Sequence, residues 1–213
     1  MKMDIARQIG AVVREVGSRE HEGQMARVVV ATRTYKTTVE DVWDALTNGE
    51  RIPRWFLPVT GDLRLGGSYQ FQGNAGGTIT RCEPPRLLAV TWGMGGSVSW
   101  VTISLAEDAA GDTRLELEHV AHVGDDIWDQ FGPGAVGVGW DLALMGLDRH
   151  LAAGATVDQN EAAAWSASGE GKDFVRRSSE EWCRASIRAG ASDAAARAAA
   201  ARTTAFYGGE HKD

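Results

Sequence analysis

The apolar positions of this chain change period several times, and each change predicts an element. Ile5, Ile9, Val12, Val13 and Val16 recur at helical spacing, which predicts a short amphipathic helix over residues 3–17. The β-branched run ARVVVATRTY (26–35) predicts a strand. TTVEDVWDALTNGE then reads as a helix: Thr38 can cap it, Asp41 follows three residues on, and Val42, Ala45 and Leu46 form its apolar side. ERIPRWF breaks at Pro53 into a second short helical turn. From residue 61 to 123 short runs alternate between glycine and proline turns. GDLRLG, GSYQFQG, GGTITRCE, RLLAVTWG, GSVSWVTISLAE and DTRLELEHVAHV predict six strands, seven with residues 27–35. In AVGVGWDLALMGLDRHLAAG, Val136, Trp140, Ala143, Leu144, Leu147 and Leu151 share one helical face and Gly154 ends it.

The last sixty residues are helical and alanine-rich. Asp158 and Ser192 stand as caps, and Phe174, Ser178, Trp182, Ala185 and Ala189 form a stripe. Alanine brings helix propensity but little buried area, so these helices need a docking surface, either the domain itself or a second copy of the chain. The resulting expectation is an α+β fold of about seven strands and a long helix, with a helical extension. Its segments are a lead-in over 1–26, a domain over 27–154 and an extension over 155–213.

Strand alternation turns Tyr69, Phe71, Trp92, Ser99, Val101, Leu117 and His119 to one face, and Trp55, Phe56, Trp140 and Leu144 join them from helical segments. A pocket lined by these residues is apolar and aromatic with few polar points, as small-molecule sites usually are. The rival reading is a completely filled core. Trp100 has the opposite parity and is expected to face outward, where the extension could cover it. His119 has three readings: a satisfied core or rim histidine, a polar hook for a ligand, or a general acid–base group moving protons on a bound polyketide; Ser97 and Ser99 share its face on the preceding strand, but no serine sits in a nucleophile-elbow sequence and no carboxylate is placed to orient the ring. A metal site is not expected there, because His122 lies three residues along the strand on the other face.

Composition narrows the function classes. A net charge of −7 argues against nucleic-acid binding, which needs a basic surface. The two cysteines, Cys82 and Cys183, form no metal or disulfide pattern. Acids and arginines interrupt the N-terminal apolar repeat, which does not suit a signal peptide, and no apolar run approaches the length of a membrane span. SGEGKD (168–173) lacks the hydroxyl residue of a phosphate loop, and GAVGVGW follows a Gly-Pro-Gly loop instead of a strand, so no nucleotide cofactor is expected. Those glycines are expected to let the long helix start close against the sheet. The expectation is a cytoplasmic protein without metal, cofactor or membrane contact.

Five stretches then fall in order: VEDVWDALTNGERIPRWF, GDLRLGGSYQF, EPPRLLAVTW, TRLELEH and GVGWDLALMGLDRHL. Together they resemble the bacterial SRPBCC proteins of the Hsp-ninety-ATPase-activator-homologue type, in the START and birch-pollen-allergen-like superfamily, over residues 27–152. The resemblance implies a helix-grip fold, a curved antiparallel sheet around a long C-terminal helix with a cavity between them. It also implies binding of hydrophobic small molecules, polyketide cyclisation or chaperone assistance, and fold alone does not choose among these. The eukaryotic co-chaperone carries a separate N-terminal domain where this chain has a short segment, which argues against chaperone contact. The leading expectation is an apolar or aromatic ligand held by Trp55, Phe56, Tyr69, Phe71, Trp92, Ser99, Val101, Leu117, His119, Trp140 and Leu144. The alternatives are a cyclase, aromatase or hydrolase using His119, and an interaction module; homodimerisation through the extension is left open.

Overall fold

A computed structural model describes residues 3–209. Its strands are β1 (Val12–His21), β2 (Gln24–Tyr35), β3 (Val59–Gly61), β4 (Ser68–Phe71), β5 (Gly76–Glu83), β6 (Leu87–Met94), β7 (Ser97–Glu107) and β8 (Thr113–Ala121). Its helices are α1 (Ile5–Gly10), α2 (Val39–Thr47), α3 (Asp125–Phe131), α4 (Gly134–Ala153), α5 (Gln159–Ala167), α6 (Gly169–Arg188) and α7 (Asp193–Tyr207), with a 3-10 turn at Ile52–Arg54. The strands form one antiparallel sheet in the order β1-β2-β8-β7-β6-β5-β4-β3. The one jump carries the chain from β2 through α2 to the far edge. The α+β, helix-grip expectation stands, with one strand more than expected.

That extra strand corrects the reading of the N-terminus. The helix ends at Gly10, and Val12–His21 is β1. Asp4 caps α1 by accepting from the Arg7 amide at 3.0 Å. Val12 and Val16 fit a helical stripe, but they also share one face of a strand with Arg14, and the buried positions of β1 follow that alternation. Glu22 (φ 49°) and Gly23 (φ 77°) close a two-residue turn whose twist suits a hairpin with β2. GDLRLG is corrected too: β3 ends at Gly61, and the following residues form a loop that leaves Leu65 exposed. The chain folds back on itself there so tightly that a Cβ on Gly67 would lie 2.0 Å from the Asp62 carbonyl oxygen.

The chain divides into two compact units. The first comprises Met1–Ala31, His122–Leu142 and Asp158–Asp213, and the second Thr32–Ala121 and Ala143–Val157. In the first unit α6 packs against α1, β1, α5 and α7. The alanine-rich helices therefore find a docking surface in the N-terminal segment. Phe174, Ser178, Trp182 and Ala185 are buried, as their spacing predicts, whereas Ala189, just past the end of α6, is exposed; Asp158 and Ser192 cap α5 and α7. Arg14 of β1 and Asp141 of α4 form a buried ion pair, Nη2 to Oδ2 at 2.9 Å, with side chains 3% and 1% exposed. Ser178 Oγ (2.5 Å) and Trp182 Nε1 (3.2 Å) donate to the same carboxylate oxygen. Arg14 Nη1 donates to the carbonyls of Ile9 and Val12.

The glycines of GAVGVGW have a role other than the expected one. A Cβ on Gly137 would stand 2.3 Å from the Trp182 ring, and one on Gly134 3.0 Å from Thr203. They let α6 and α7 approach α4. From α7, Arg202 donates to the carbonyls of Asp129 and Gln130 and Thr203 to that of Phe131, which satisfies the open end of α3.

The second unit has its own core, including Tyr35, Val42, Ala45, Ile52, Leu115, Leu117, Leu144 and Leu147. Thr38 caps α2 as expected. Tyr35 donates its hydroxyl to the Leu144 carbonyl at 3.1 Å, and Arg33 pairs with Asp148 at 2.9 Å, which seats the C-terminal half of α4 on the end of β2.

Candidate functional site

The register of the second unit builds a row of facing positions across the sheet. Tyr69 opposes Gly77, Trp92 opposes Ser99, and Ser99 opposes Ala121. Gly76 opposes Gly93, which places Gly77 beside Trp92. A Cβ on Gly77 would lie 2.0 Å from the Thr91 carbonyl oxygen. The Tyr69 ring lies 6.4 Å from Trp92, with its hydroxyl donating to the same Thr91 carbonyl at 2.7 Å. Gly77→Ala is expected to force β5 and β6 apart and cost about 1–3 kcal/mol. Thermal unfolding checks this, and an unchanged midpoint would show that the strands tolerate the methyl group.

Phe71 lies 5.3 Å from Tyr69 and 5.7 Å from Trp92. Phe56 meets Phe71 edge-on at 5.0 Å, and Trp55 lies 5.5 Å from Phe56. Five rings thus form one cluster. Tyr69 is buried; Trp55, Phe56, Phe71 and Trp92 are half-buried and keep ring surface accessible.

Trp55 and Phe56 reach this cluster from the 3-10 turn, which Pro53 helps to start. Trp55 Nε1 donates to the Ala45 carbonyl of α2 at 2.8 Å. Its own carbonyl rests on Gly146 of α4, where a Cβ would come within 2.6 Å of the oxygen. Arg51, before the turn, reaches Asp41 and Asp44 of α2 and His150 of α4. Apolar periodicity marks neither Arg51 nor His150.

The next row runs Ile79, Val90, Val101, His119. His119 is buried, and its Nε2 lies 2.7 Å from Ser99 Oγ. Ser99 donates its one hydroxyl hydrogen to the Trp92 carbonyl at 2.9 Å. The imidazole must therefore supply the hydrogen between the two side chains, so Nε2 carries it. Burial lowers the His119 pKa to about 4, which leaves the ring neutral at pH 7. In an activated serine the hydroxyl donates to the imidazole, and here the direction is reversed. The pair makes a fixed, neutral polar point beside Trp92.

Of the expected lining residues, the structure gathers Trp55, Phe56, Tyr69, Phe71 and Trp92, with Ser99 and His119 at their flank. Val101, Leu117 and Leu144 are buried among the core side chains of the same unit. Trp140 lies in the first unit. Trp100, opposite Thr91 and Val120, is half-buried. Among the described residues no group of three or more His, Cys, Asp or Glu side chains could hold a metal ion, and no helix is long and apolar enough to cross a membrane.

Residues 36–152 match the sequence profile of the family described as Activator of Hsp90 ATPase homolog 1-like protein. The chain is similar to CalU16 from Micromonospora echinospora. Its crystal structure is 32% identical, with 85% of this chain and 99% of that one covered and a TM-score of 0.65. The solution structure gives 34%, 85%, 97% and 0.68. MLL2253 from Mesorhizobium loti shares the fold at 22% identity, covering 59% of this chain and 97% of its own, with a TM-score of 0.52. No curated protein matches the chain.

Proposed function

The chain belongs to the Activator of Hsp90 ATPase homolog 1-like family, and from that premise we propose that it binds an apolar, aromatic small molecule against the rings of Trp55, Phe56, Phe71 and Trp92. One observation carries the reading: five rings form a contiguous cluster, four of them half-buried, beside the His119–Ser99 pair. Water against such rings is unfavourable by roughly 25 cal/mol per Å² of apolar surface, and a stacked aromatic ligand adds about 0.5–1.5 kcal/mol per ring pair. The His119–Ser99 pair supplies the polar point that orients such a ligand.

A hydrolase built on His119 as the base for Ser99 gains no support, because the hydroxyl donates away from the ring. Two measurements test the binding reading. Native mass spectrometry of the gently purified protein, repeated after denaturation, is expected to release a small-molecule mass. The neutral fluorophore N-phenyl-1-naphthylamine is expected to bind the wild type about tenfold more tightly than Trp92→Ala, a difference of about 1.4 kcal/mol. Equal binding by the two proteins would remove the aromatic cluster as the site.

A further inference from the structure

β1 lies at one end of the sheet. It has β2 on one side and, among the described residues, no strand on the other. The two-residue turn at Glu22 and Gly23 sets which of its backbone groups face that open side. His21 and Gln24 flank the turn as a hydrogen-bonded pair, so odd-numbered residues of β1 bond to β2. Even-numbered residues turn their N–H and C=O groups outward. The Arg14 carbonyl is one of these, and it accepts from Arg188 Nη2 of α6 at 3.1 Å. α6 thus covers the start of the edge. Beyond it, Gly17, Ser18, Arg19 and Glu20 are exposed and Val16 is half-buried. An edge of this kind, with no proline in it, is a template for another strand.

Nothing inside the chain calls for a glycine at position 17. Its φ is not left-handed, and a Cβ there would meet no atom within 4 Å. Glycine within a strand costs stability, and it often marks the close approach of another backbone. The charges select that backbone. Glu15 and Arg19 are exposed on one face of β1, two positions to either side of Gly17. A second β1, run antiparallel about a twofold axis through Gly17, sets each Glu15 opposite the other copy's Arg19. Val16 of each copy then opposes Ser18 of the other, and each such pair exchanges both of its backbone hydrogen bonds. Glu15 and Arg19 fall in the non-hydrogen-bonded positions, where facing side chains are closest. Centring the axis on Ser18 would set Arg19 against Gly17 and lose both charge pairs.

We propose that the uncovered half of β1 is a homodimer interface, in which two copies of the chain join edge to edge through Val16 and Ser18 while Glu15–Arg19 pairs fix the register. The contact is isologous, so it closes with two copies and leaves no further edge of the same kind to extend. It is also short, well below the span of a permanent interface, which makes the dimer weak and concentration-dependent. The exposed charges serve two ends. In the monomer they keep the edge soluble, and across the axis they favour one antiparallel alignment over its neighbours.

Sedimentation velocity of the full chain, from roughly 10 μM to 1 mM, covers the concentrations at which a weak Kd shows. The wild type is expected to pass from monomer toward dimer across that range. Ser18→Pro should stay monomeric and keep the wild-type thermal midpoint, because it removes an N–H that β2 does not use and sets a ring on the edge. Glu15→Arg and Arg19→Glu should each weaken self-association by about tenfold, since like charges then meet across the axis. Mixed in equal amounts, these two variants should associate as tightly as the wild type, because every charge again faces its opposite. That recovery belongs to this register and to no other contact between copies. If Ser18→Pro fails to fold, the charge variants and their mixture still decide the matter. A wild type that remains monomeric throughout would overturn the proposal. So would a dimer indifferent to all three substitutions, or charge variants that lose association without recovering it when mixed.

Discussion

Asp141→Ala is expected to lower folding stability by about 3–5 kcal/mol, because it leaves the buried Arg14 guanidinium without its counter-charge. Against a usual total of about 5–15 kcal/mol, that is a large fraction. Ser178 and Trp182 lose their shared acceptor in the same step, and each buried donor left unmet adds to the cost. The comparison that isolates the charge is Arg14→Leu combined with Asp141→Leu. Exchanging a whole buried pair for apolar side chains is often close to neutral, so the double variant should recover most of the loss. Urea unfolding of both variants measures this. If Asp141→Ala loses less than about 1 kcal/mol, the range of an exposed pair, the ion pair does not hold β1, α4 and α6 together.

Acid is expected to destabilise the protein through His119, by about 3 kcal/mol at roughly 1.4 kcal/mol per tenfold change in proton affinity. The folded-state pKa, about 4, lies below the reference value of 6.5. A proton therefore binds the unfolded chain more readily than the folded one. The contribution is complete above about pH 6.5, is lost as pH falls toward 4, and changes no further below it. Unfolding of the wild type and His119→Gln at a series of pH values separates this group from the carboxylates, which titrate in both. The stability gap should shift by about 3 kcal/mol in favour of the variant between those limits. A constant gap would show that His119 is already exposed to water.

Much of the chemistry of the aromatic site was legible. Tyr69, Phe71 and Trp92 fall on one face by alternation, and the structure brings them together with Phe56. His119 lies on that face as its spacing predicts, paired with Val101. What alternation does not contain is the direction of the Ser99 hydroxyl, which depends on a carbonyl seven residues away on the neighbouring strand. That direction distinguishes a hydroxyl that donates to the backbone from one that donates to the imidazole. Gly77 was equally silent, because its role is the absence of atoms beside Thr91.

The sequence by itself determined what rests on neighbours a few residues apart. Thr38, Asp158 and Ser192 cap their helices through amides two or three positions on, and β5 to β8 follow from alternation between turns. Tertiary structure decided everything that needed a distant partner. Val12 to Val16 suits a helix or a strand, and the sheet chose the strand. Arg14 reads as a surface residue until Asp141, 127 positions away, arrives beside it, and Gly137 as an ordinary glycine until Trp182 rests on it. The physical reason is the same in each case. Local periodicity records which side chains avoid water, whereas a buried charge or a bare Cα is stable only in company that the fold assembles.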